Sequence, residues 1–115
     1  LYFLESSSSG SEFVAGYKAA YKNADPAEDA ADAFATAQVL QTAVTKVGAI
    51  DQAKIRDWLH ANEVQTILGP LSWTATGEPR GQFLLAQWQS DKVQVVGPPD
   101  LATTETIVNP KPDWK

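Results

Sequence analysis

The sequence predicts a mixed fold in which three helices precede a small sheet. Apolar residues recur at helical spacing over the first half of the chain, and β-branched and aromatic residues are concentrated in short runs after residue 63. The 115 residues fit one domain, and an apolar content of 43% allows a modest core. Such a grouping of helices and strands would ordinarily indicate the α+β class.

The first residues look foreign to the fold. Leu1 to Phe3 resemble the middle of a tag-cleavage site, and four consecutive serines precede Gly10, which is typical of a linker. We therefore predict that residues 1–11 are a tag or linker remnant and that residues 12–115 form the folded part. A native N-terminus is the alternative.

The first helix is predicted over residues 12–21. Phe13, Tyr17 and Tyr21 recur every four residues and would share one face. Ser11 is a candidate cap for the first turn. The Asn-Ala-Asp-Pro stretch that follows ends the helix, because proline disfavours the helical conformation in the residue before it.

The second helix is predicted over Glu28–Val47, where alanine, the strongest helix former, is frequent. Three acids occupy its first turns, where the helix dipole favours negative charge. Gly48 suits the left-handed position just after the helix. The predicted apolar stripe consists of Phe34, Ala37, Leu40, Val44 and Val47.

The third helix is predicted over Gln52–Ala61, with Asp51 as its N-cap. Asn62 is expected to close this helix in a left-handed turn. The predicted buried side comprises Ile55, Trp58 and Leu59.

Extended chain is predicted after the third helix. Val64–Trp73 is interrupted at Gly69-Pro70, which indicates an edge strand, a bulge or two short strands. Residues 82–88 and 92–96 are predicted to form a hairpin with Ser90-Asp91 in its turn. Large aromatic side chains dominate small cores, so Trp58, Trp73 and Trp88 are expected to pack between the helices and the hairpin rather than form a sugar-stacking platform.

Composition argues against several functions. The net charge is −5 and the lysines are scattered, so clustered phosphate contacts with nucleic acid are not expected. The chain has no cysteine and one histidine, which argues against a thiolate or zinc site. His60 has only Asp57 as a local acid, an ordinary helix pair, so we predict a surface histidine. The sequence predicts no catalytic set, no metal site and no cofactor.

Several short stretches of the sequence occur in a recognisable order. They are Asp25-Pro26, Ala33–Leu40, Val64–Trp73, Gly77–Gly81, Leu85–Trp88, Lys92–Val96 and Pro110–Trp114. Each motif is weak alone, but together they resemble the C-terminal part of type I periplasmic substrate-binding proteins of the branched-chain amino acid type. Their order and spacing are similar to the family over about Glu12 to Lys115.

The resemblance implies an α/β fold in which this chain is a fragment of one of two lobes that close on a small solute. It implies a non-enzymatic, periplasmic protein that binds an amino acid or similar ligand and delivers it to the membrane subunits of an ABC transporter. Upstream chain would supply most of both lobes and the residues that hold the ligand carboxylate. Faces shaped to meet that chain would be exposed here, so we predict self-association.

The resemblance also implies candidate ligand-binding residues. In the family, the loop before the long helix and its first turn line the cleft. They match Glu28, Asp29 and Ala30 here, with Phe34 one turn further on. We hypothesise that Asp29 contacts a cationic or polar ligand group in the intact protein. The alternative is a solvated helix start, where acids are common. For the whole chain, the alternative is a free-standing interaction module without a small ligand.

Overall fold

The computed structural model describes residues 8–81 and 84–110. Within these residues it confirms the predicted mixed fold, with three α-helices followed by two small antiparallel sheets. The chain divides into two compact units, Leu1–Gly81 and Gln82–Lys115. The helices and the first sheet belong to the first unit, and the hairpin forms a separate two-stranded sheet in the second.

The three helices are α1 (Ser8–Ala20), α2 (Glu28–Val47) and α3 (Gln52–Ala61). The bounds of α2 and α3 match the prediction, but α1 begins at Ser8 rather than at residue 12. Ser11 therefore lies inside the helix, and its prediction as the cap is wrong. Serine is an intermediate helix former, so little in this stretch except Gly10 opposes the helix. No helix within the described ranges is both long and apolar enough to cross a bilayer.

Besides the cap of α1, three residues were predicted to end or begin a helix, and two of these predictions are confirmed. Gly48 has φ +73° and occupies the predicted left-handed position after α2. Asp51 caps α3 as predicted, because its carboxylate accepts the N–H of Lys54 at 3.1 Å. The prediction for Asn62 is wrong: its φ is −134°, and its side-chain amide instead donates to the Trp58 carbonyl at 2.7 Å. The side chain thus satisfies a terminal carbonyl without a left-handed turn.

The first sheet has the order β1-β2-β3, all antiparallel, with β1 (Val64–Thr66), β2 (Gly69–Trp73) and β3 (Pro79–Arg80). Of the three possibilities predicted at Gly69, two short strands is correct. Gly69 has φ +91°, a conformation that glycine adopts without strain. The Thr66 hydroxyl donates to the Gly69 carbonyl at 2.8 Å and fixes the turn between the strands.

The buried face of α2 differs from the predicted stripe. Phe34 and Leu40 are exposed, whereas Ala31, Ala35 and Ala43 are buried. Alanine lets neighbouring backbones approach closely, so the helix packs its smallest residues inward and leaves larger ones at the flanks. The central cluster of the first unit consists of Val14, Ala31, Ala35 and Ile67, with Phe13 and Leu68 packed against it.

The second unit contains β4 (Leu85–Gln89), β5 (Lys92–Gly97) and a 3-10 turn at Pro99–Leu101. Ser90 and Asp91 both have positive φ, 50° and 62°, as the two central residues of a type I′ hairpin turn do. The predicted hairpin is therefore confirmed, with its turn where expected. The first strand was predicted to begin at residue 82. Residues 82 and 83 lie outside the described residues, and the strand begins at Leu85 rather than including Leu84.

The prediction that Trp88 packs into a core is wrong. Trp58 and Trp73 are half-buried in the first unit, but Trp88 is 73% exposed. It pairs across the hairpin with Val93, which is also exposed. The opposite pair, Gln87 and Gln94, is half-buried, so this hairpin covers its polar face and exposes its apolar one.

Candidate functional site

Phe34, one of the predicted ligand-binding residues, lies in an aromatic groove in the first unit. One face of α1 forms the first wall, and α2 together with the β1–β2 turn forms the second. The groove has a volume of about 420 Å³ and opens to solvent. We call it the aromatic groove, and its lining residues are Ser9, Glu12, Phe13, Gly16, Tyr17, Ala20, Tyr21, Phe34, Gln38 and Ile67.

Four rings in the groove form a continuous series of contacts. The ring centroid of Phe13 lies 6.0 Å from that of Tyr17 and 5.0 Å from that of Phe34, and Tyr17 lies 4.4 Å from Tyr21. All three pairs are tilted rather than parallel. Separations of this kind are favourable for aromatic pairs. Phe34 remains 45% exposed and Tyr21 59% exposed, so the outer part of the series contacts solvent.

The spacing of the sequence explains the groove. Residues four apart lie on one side of a helix, which places Phe13 and Tyr17 in line on α1. Val14, the next residue, is buried against the core and fixes how α1 is rotated. Gly16 and Ala20 fall between the rings, and a Cβ added at Gly16 would meet no heavy atom within 4 Å. These small residues leave the groove open.

Gln38 connects α2 to the turn that closes the groove. Its side-chain carbonyl oxygen accepts the backbone N–H of Ile67 at 2.9 Å. This bond satisfies a buried residue's amide where the strand ladder cannot reach it. Among the described residues, the NH₂ group of the Gln38 amide has no hydrogen-bond partner, so the lining offers it as a polar donor in addition to the hydroxyls of Tyr17 and Tyr21.

One acidic side chain, Glu12, lines the groove. Residues 8–38 contain five acids and two lysines, a net charge of −3, and Glu12 is the one of these seven that belongs to the lining. Lys18 forms an ion pair with Asp25 at 2.8 Å. The hydrogen bond from Lys18, and then its positive charge, hold the pKa of Asp25 below its usual value. Glu12 is exposed at the rim of the groove.

The structure does not bring the three predicted ligand-binding residues together. Glu28 and Asp29 are exposed in the first turn of α2, and neither lines the aromatic groove. At 3.6 residues per turn, Phe34 lies about 140° around the helix from Asp29 and about 120° from Glu28. The two acids and the ring therefore occupy different faces of α2.

A second concave surface, the aliphatic hollow, lies on the same unit. It has a volume of about 430 Å³ and includes Ile50, which is 89% exposed. His60 lines it and is half-buried. Arg56 also lines it, but both its Nε and Nη2 groups donate to Asp57. The complete lining is Leu40, Ile50, Gln52, Ile55, Arg56, Leu59, His60, Trp73 and Gly77.

Sequence reasoning placed Phe13 and Tyr17 on one helix face but did not recognise a groove there. The signal that could have found it was the pair of small residues, Gly16 and Ala20, between the aromatic positions. No pattern in the sequence indicates that Glu12 and Gln38 line the groove, because their positions there depend on how two helices meet. In residues 8–81 and 84–110, no group of three or more histidine, cysteine, aspartate or glutamate side chains could hold a metal ion.

Comparison with known proteins gives one partial similarity. No protein-family model matches the chain. Over 59 residues the chain is 37% identical to a Leu/Ile/Val-binding protein from Citrobacter freundii. The match covers 50% of this chain and 16% of the relative, so the chain spans about a sixth of that protein's length. The chain is thus similar, over half of its own residues, to a protein that binds leucine, isoleucine and valine.

Proposed function

We propose that this chain is part of an extracytoplasmic solute-binding protein that captures an amino acid or similar small solute for an ABC importer. The observation that carries the proposal is the 59-residue match, at 37% identity, to the Leu/Ile/Val-binding protein. Three helices with small antiparallel sheets are compatible with part of one lobe of such a protein. The proposal assigns the chain a binding role and no catalysis.

The proposed mechanism is closure of two lobes on the solute. A ligand that contacts both lobes binds the closed state more tightly than the open one, and so shifts the population toward closure. A single piece of one lobe offers only part of these contacts. We therefore expect the chain alone to have no measurable affinity for amino acids.

Within this proposal, the start of α2 faces the cleft. Glu28 and Asp29 are exposed there and are free to meet a ligand from the other lobe. Their negative charges suit a cationic or polar ligand group and disfavour a ligand carboxylate at the same place. Phe34 lies on a different face of α2, so the proposal assigns the polar contact to the two acids and does not place Phe34 in that contact.

A chimeric protein tests the proposal. Residues 12–115 replace the corresponding C-terminal part of the Citrobacter freundii protein, and calorimetry measures binding across the amino acids. The chimera is expected to fold with one cooperative transition and to bind an amino acid, whereas the isolated chain gives no heat. A folded chimera that binds no amino acid, beside a parent that binds leucine, would contradict the proposal and favour the interaction module.

The role of Asp29 is tested in the same chimera. Asp29→Ala is expected to change affinity or selectivity by several-fold, since a direct charged contact is lost. Asp32→Ala, another exposed acid one turn along α2, is the matched control and is expected to leave binding unchanged. If the two variants have the same affinity and selectivity for amino acids, Asp29 makes no specific contact with the ligand.

The proposal also includes self-association of the isolated chain. Its exposed large apolar side chains occur in both units, and apolar patches promote association. Light scattering over a concentration series is expected to show a mass that rises above the monomer. A clean monomer at high concentration would contradict this part.

A further inference from the structure

We propose that the aromatic groove binds a small organic cation, an ammonium group carried on an apolar body. This goes beyond the proposed function, because it concerns a ligand held by the chain by itself and not a solute trapped between two lobes. The ring contacts, the charge of Glu12 and the dimensions of the groove support this assignment.

The rings provide the attractive surface. The face of an aromatic ring carries negative electrostatic potential, which attracts a cation within about 6 Å of the ring centroid. Phe13 contacts both Tyr17 and Phe34, with centroids 6.0 Å and 5.0 Å apart. A ligand placed beside this series would therefore meet more than one ring. Because Phe34 is 45% exposed, part of that surface is accessible without any rearrangement.

Charge selects a cation over an anion. Glu12 is the one charged side chain that lines the groove among the described residues. The two acids in the first turn of α2 lie on another face of that helix, and the charge of Asp25 is balanced by its ion pair with Lys18. Glu12 therefore supplies the charge at the rim, which would repel an anion and attract a cation. The NH₂ group of Gln38 can serve a polar substituent on the ligand.

The dimensions favour a small ligand. A volume of about 420 Å³ lies at the lower end of the range for small-molecule sites. Gly16 and Ala20 provide an uncrowded floor that accepts a ring or a branched alkyl body. Because the groove is open and part of the ligand stays in water, the expected dissociation constant is on the order of 0.1–1 mM.

Nuclear magnetic resonance of the full chain tests the proposal. Benzyltrimethylammonium is the probe, and benzoate, an anion on the same ring, is the matched control. Saturable shifts are expected for resonances of Phe13, Tyr17 and Phe34 with the cation and not with the anion. Raising sodium chloride to about 0.5 M should weaken binding, because salt screens the attraction. Equal binding of both probes, or no binding of the cation, would overturn the proposal.

Two variants test separately how much the Phe34 ring and the Glu12 charge contribute to binding of the cation. Phe34→Leu and Glu12→Gln are each expected to weaken binding about two- to fivefold, the loss typical of an exposed cation–π or charge contact. Phe34→Tyr keeps the ring and is expected to retain binding, which distinguishes a lost contact from a disturbed fold. Trp88→Leu and Glu105→Gln, exposed in the second unit, are the controls and should bind as the parent does.

The two proposals fail separately. If the chain binds the cation probe but the chimera binds no amino acid, the cation site in the groove is supported and the proposed solute-binding function is wrong. The proposed cation site is wrong if the cation probe does not bind. It is also wrong if Phe34→Leu and Glu12→Gln both bind the probe as well as the parent does. The chimera experiment would be unaffected by that result.

Discussion

The two units of this chain are ordered by different interactions. The first has a small apolar interior in which Ala31 and Ala35 are almost completely buried beside Ile67. In the second unit, no residue of the described range 84–110 is buried. Its hairpin is joined to the following chain mainly through glutamine and threonine side chains. Hydrophobic burial therefore orders the first unit, whereas hydrogen bonds of side chains order the second.

Gln87 shows how the second unit does without a core. Its side-chain NH₂ donates to the carbonyl of Val108 and its side-chain oxygen accepts the N–H of Val108, both at 2.9 Å. A side-chain amide offers the same donor and acceptor as a peptide group, so Gln87 acts as a strand partner for Val108. Gln89 adds a bond to the Thr106 carbonyl at 2.7 Å. Each such bond contributes about 0.5–1.5 kcal/mol, less than a well-buried apolar side chain.

The largest effect is expected from the core of the first unit. Ile67→Ala should lower the free energy of unfolding by about 2–4 kcal/mol, because it leaves a cavity beside three other buried residues. Urea denaturation followed by circular dichroism at helical wavelengths measures it. Ile50→Ala, the same change at an 89% exposed position, is the control and should cost less than about 0.5 kcal/mol. Equal losses would mean that Ile67 is not in the core.

A smaller effect is expected from the polar contacts of the second unit. Gln87→Ala should destabilise the segment around Val108 by about 1–2 kcal/mol, because two hydrogen bonds are lost. Hydrogen exchange of the Val108 amide should accelerate roughly five- to thirtyfold. Helical amides of α2 should exchange as before. If protection at Val108 is unchanged, the glutamine contact does not hold that segment.

The exposed face of the hairpin should tolerate change. Trp88→Thr should alter the stability of either unit by less than about 0.5 kcal/mol, since a side chain that is 73% exposed contributes little burial. Thermal unfolding of the monomeric chain at low concentration is the measurement. A loss of more than about 1 kcal/mol in the free energy of unfolding would show that the Trp88 ring is covered in solution. The second unit would then depend on burial of apolar side chains, as the first does.

The smallest effect concerns pH. The hydrogen bond and charge of Lys18 lower the pKa of Asp25, so the ion pair favours the folded state above the pKa of an unfolded aspartate. This contribution is lost as pH falls through the lower, folded pKa. Carbon-detected titration of the Asp25 carboxyl should therefore give a midpoint below that of a free aspartate. Lys18→Met or high salt should return it toward the usual value, and an unchanged midpoint would contradict the pair.

Much of the fold could be predicted from local chemistry. The bounds of α2 and α3, the Asp51 cap and the left-handed Gly48 follow from interactions within a few residues. The buried face of α2 could not be predicted in this way. Phe34 and Leu40 are more hydrophobic than Ala31 and Ala35, but close approach to the β1–β2 turn favours the smaller side chains.

The candidate site was predictable to a lesser degree. Phe34 was selected from the sequence and does line a groove, but the acids selected with it lie elsewhere on α2. Glu12, on another helix, is the acid that lines the groove together with Phe34. Which acid accompanies Phe34 depends on the rotation of α1, and no spacing along α2 contains that information.

The sequence by itself determined α2, α3, the turn of the hairpin and the acidic character of the chain, because each depends on residues close in sequence or on composition alone. Tertiary structure decided which faces are buried, that four rings meet in one groove, and that the hairpin covers its glutamines. These features depend on how separate elements fit together. Close packing is stabilising only when the shapes of side chains far apart in the sequence match, and the hydrophobicity of a residue does not specify its shape.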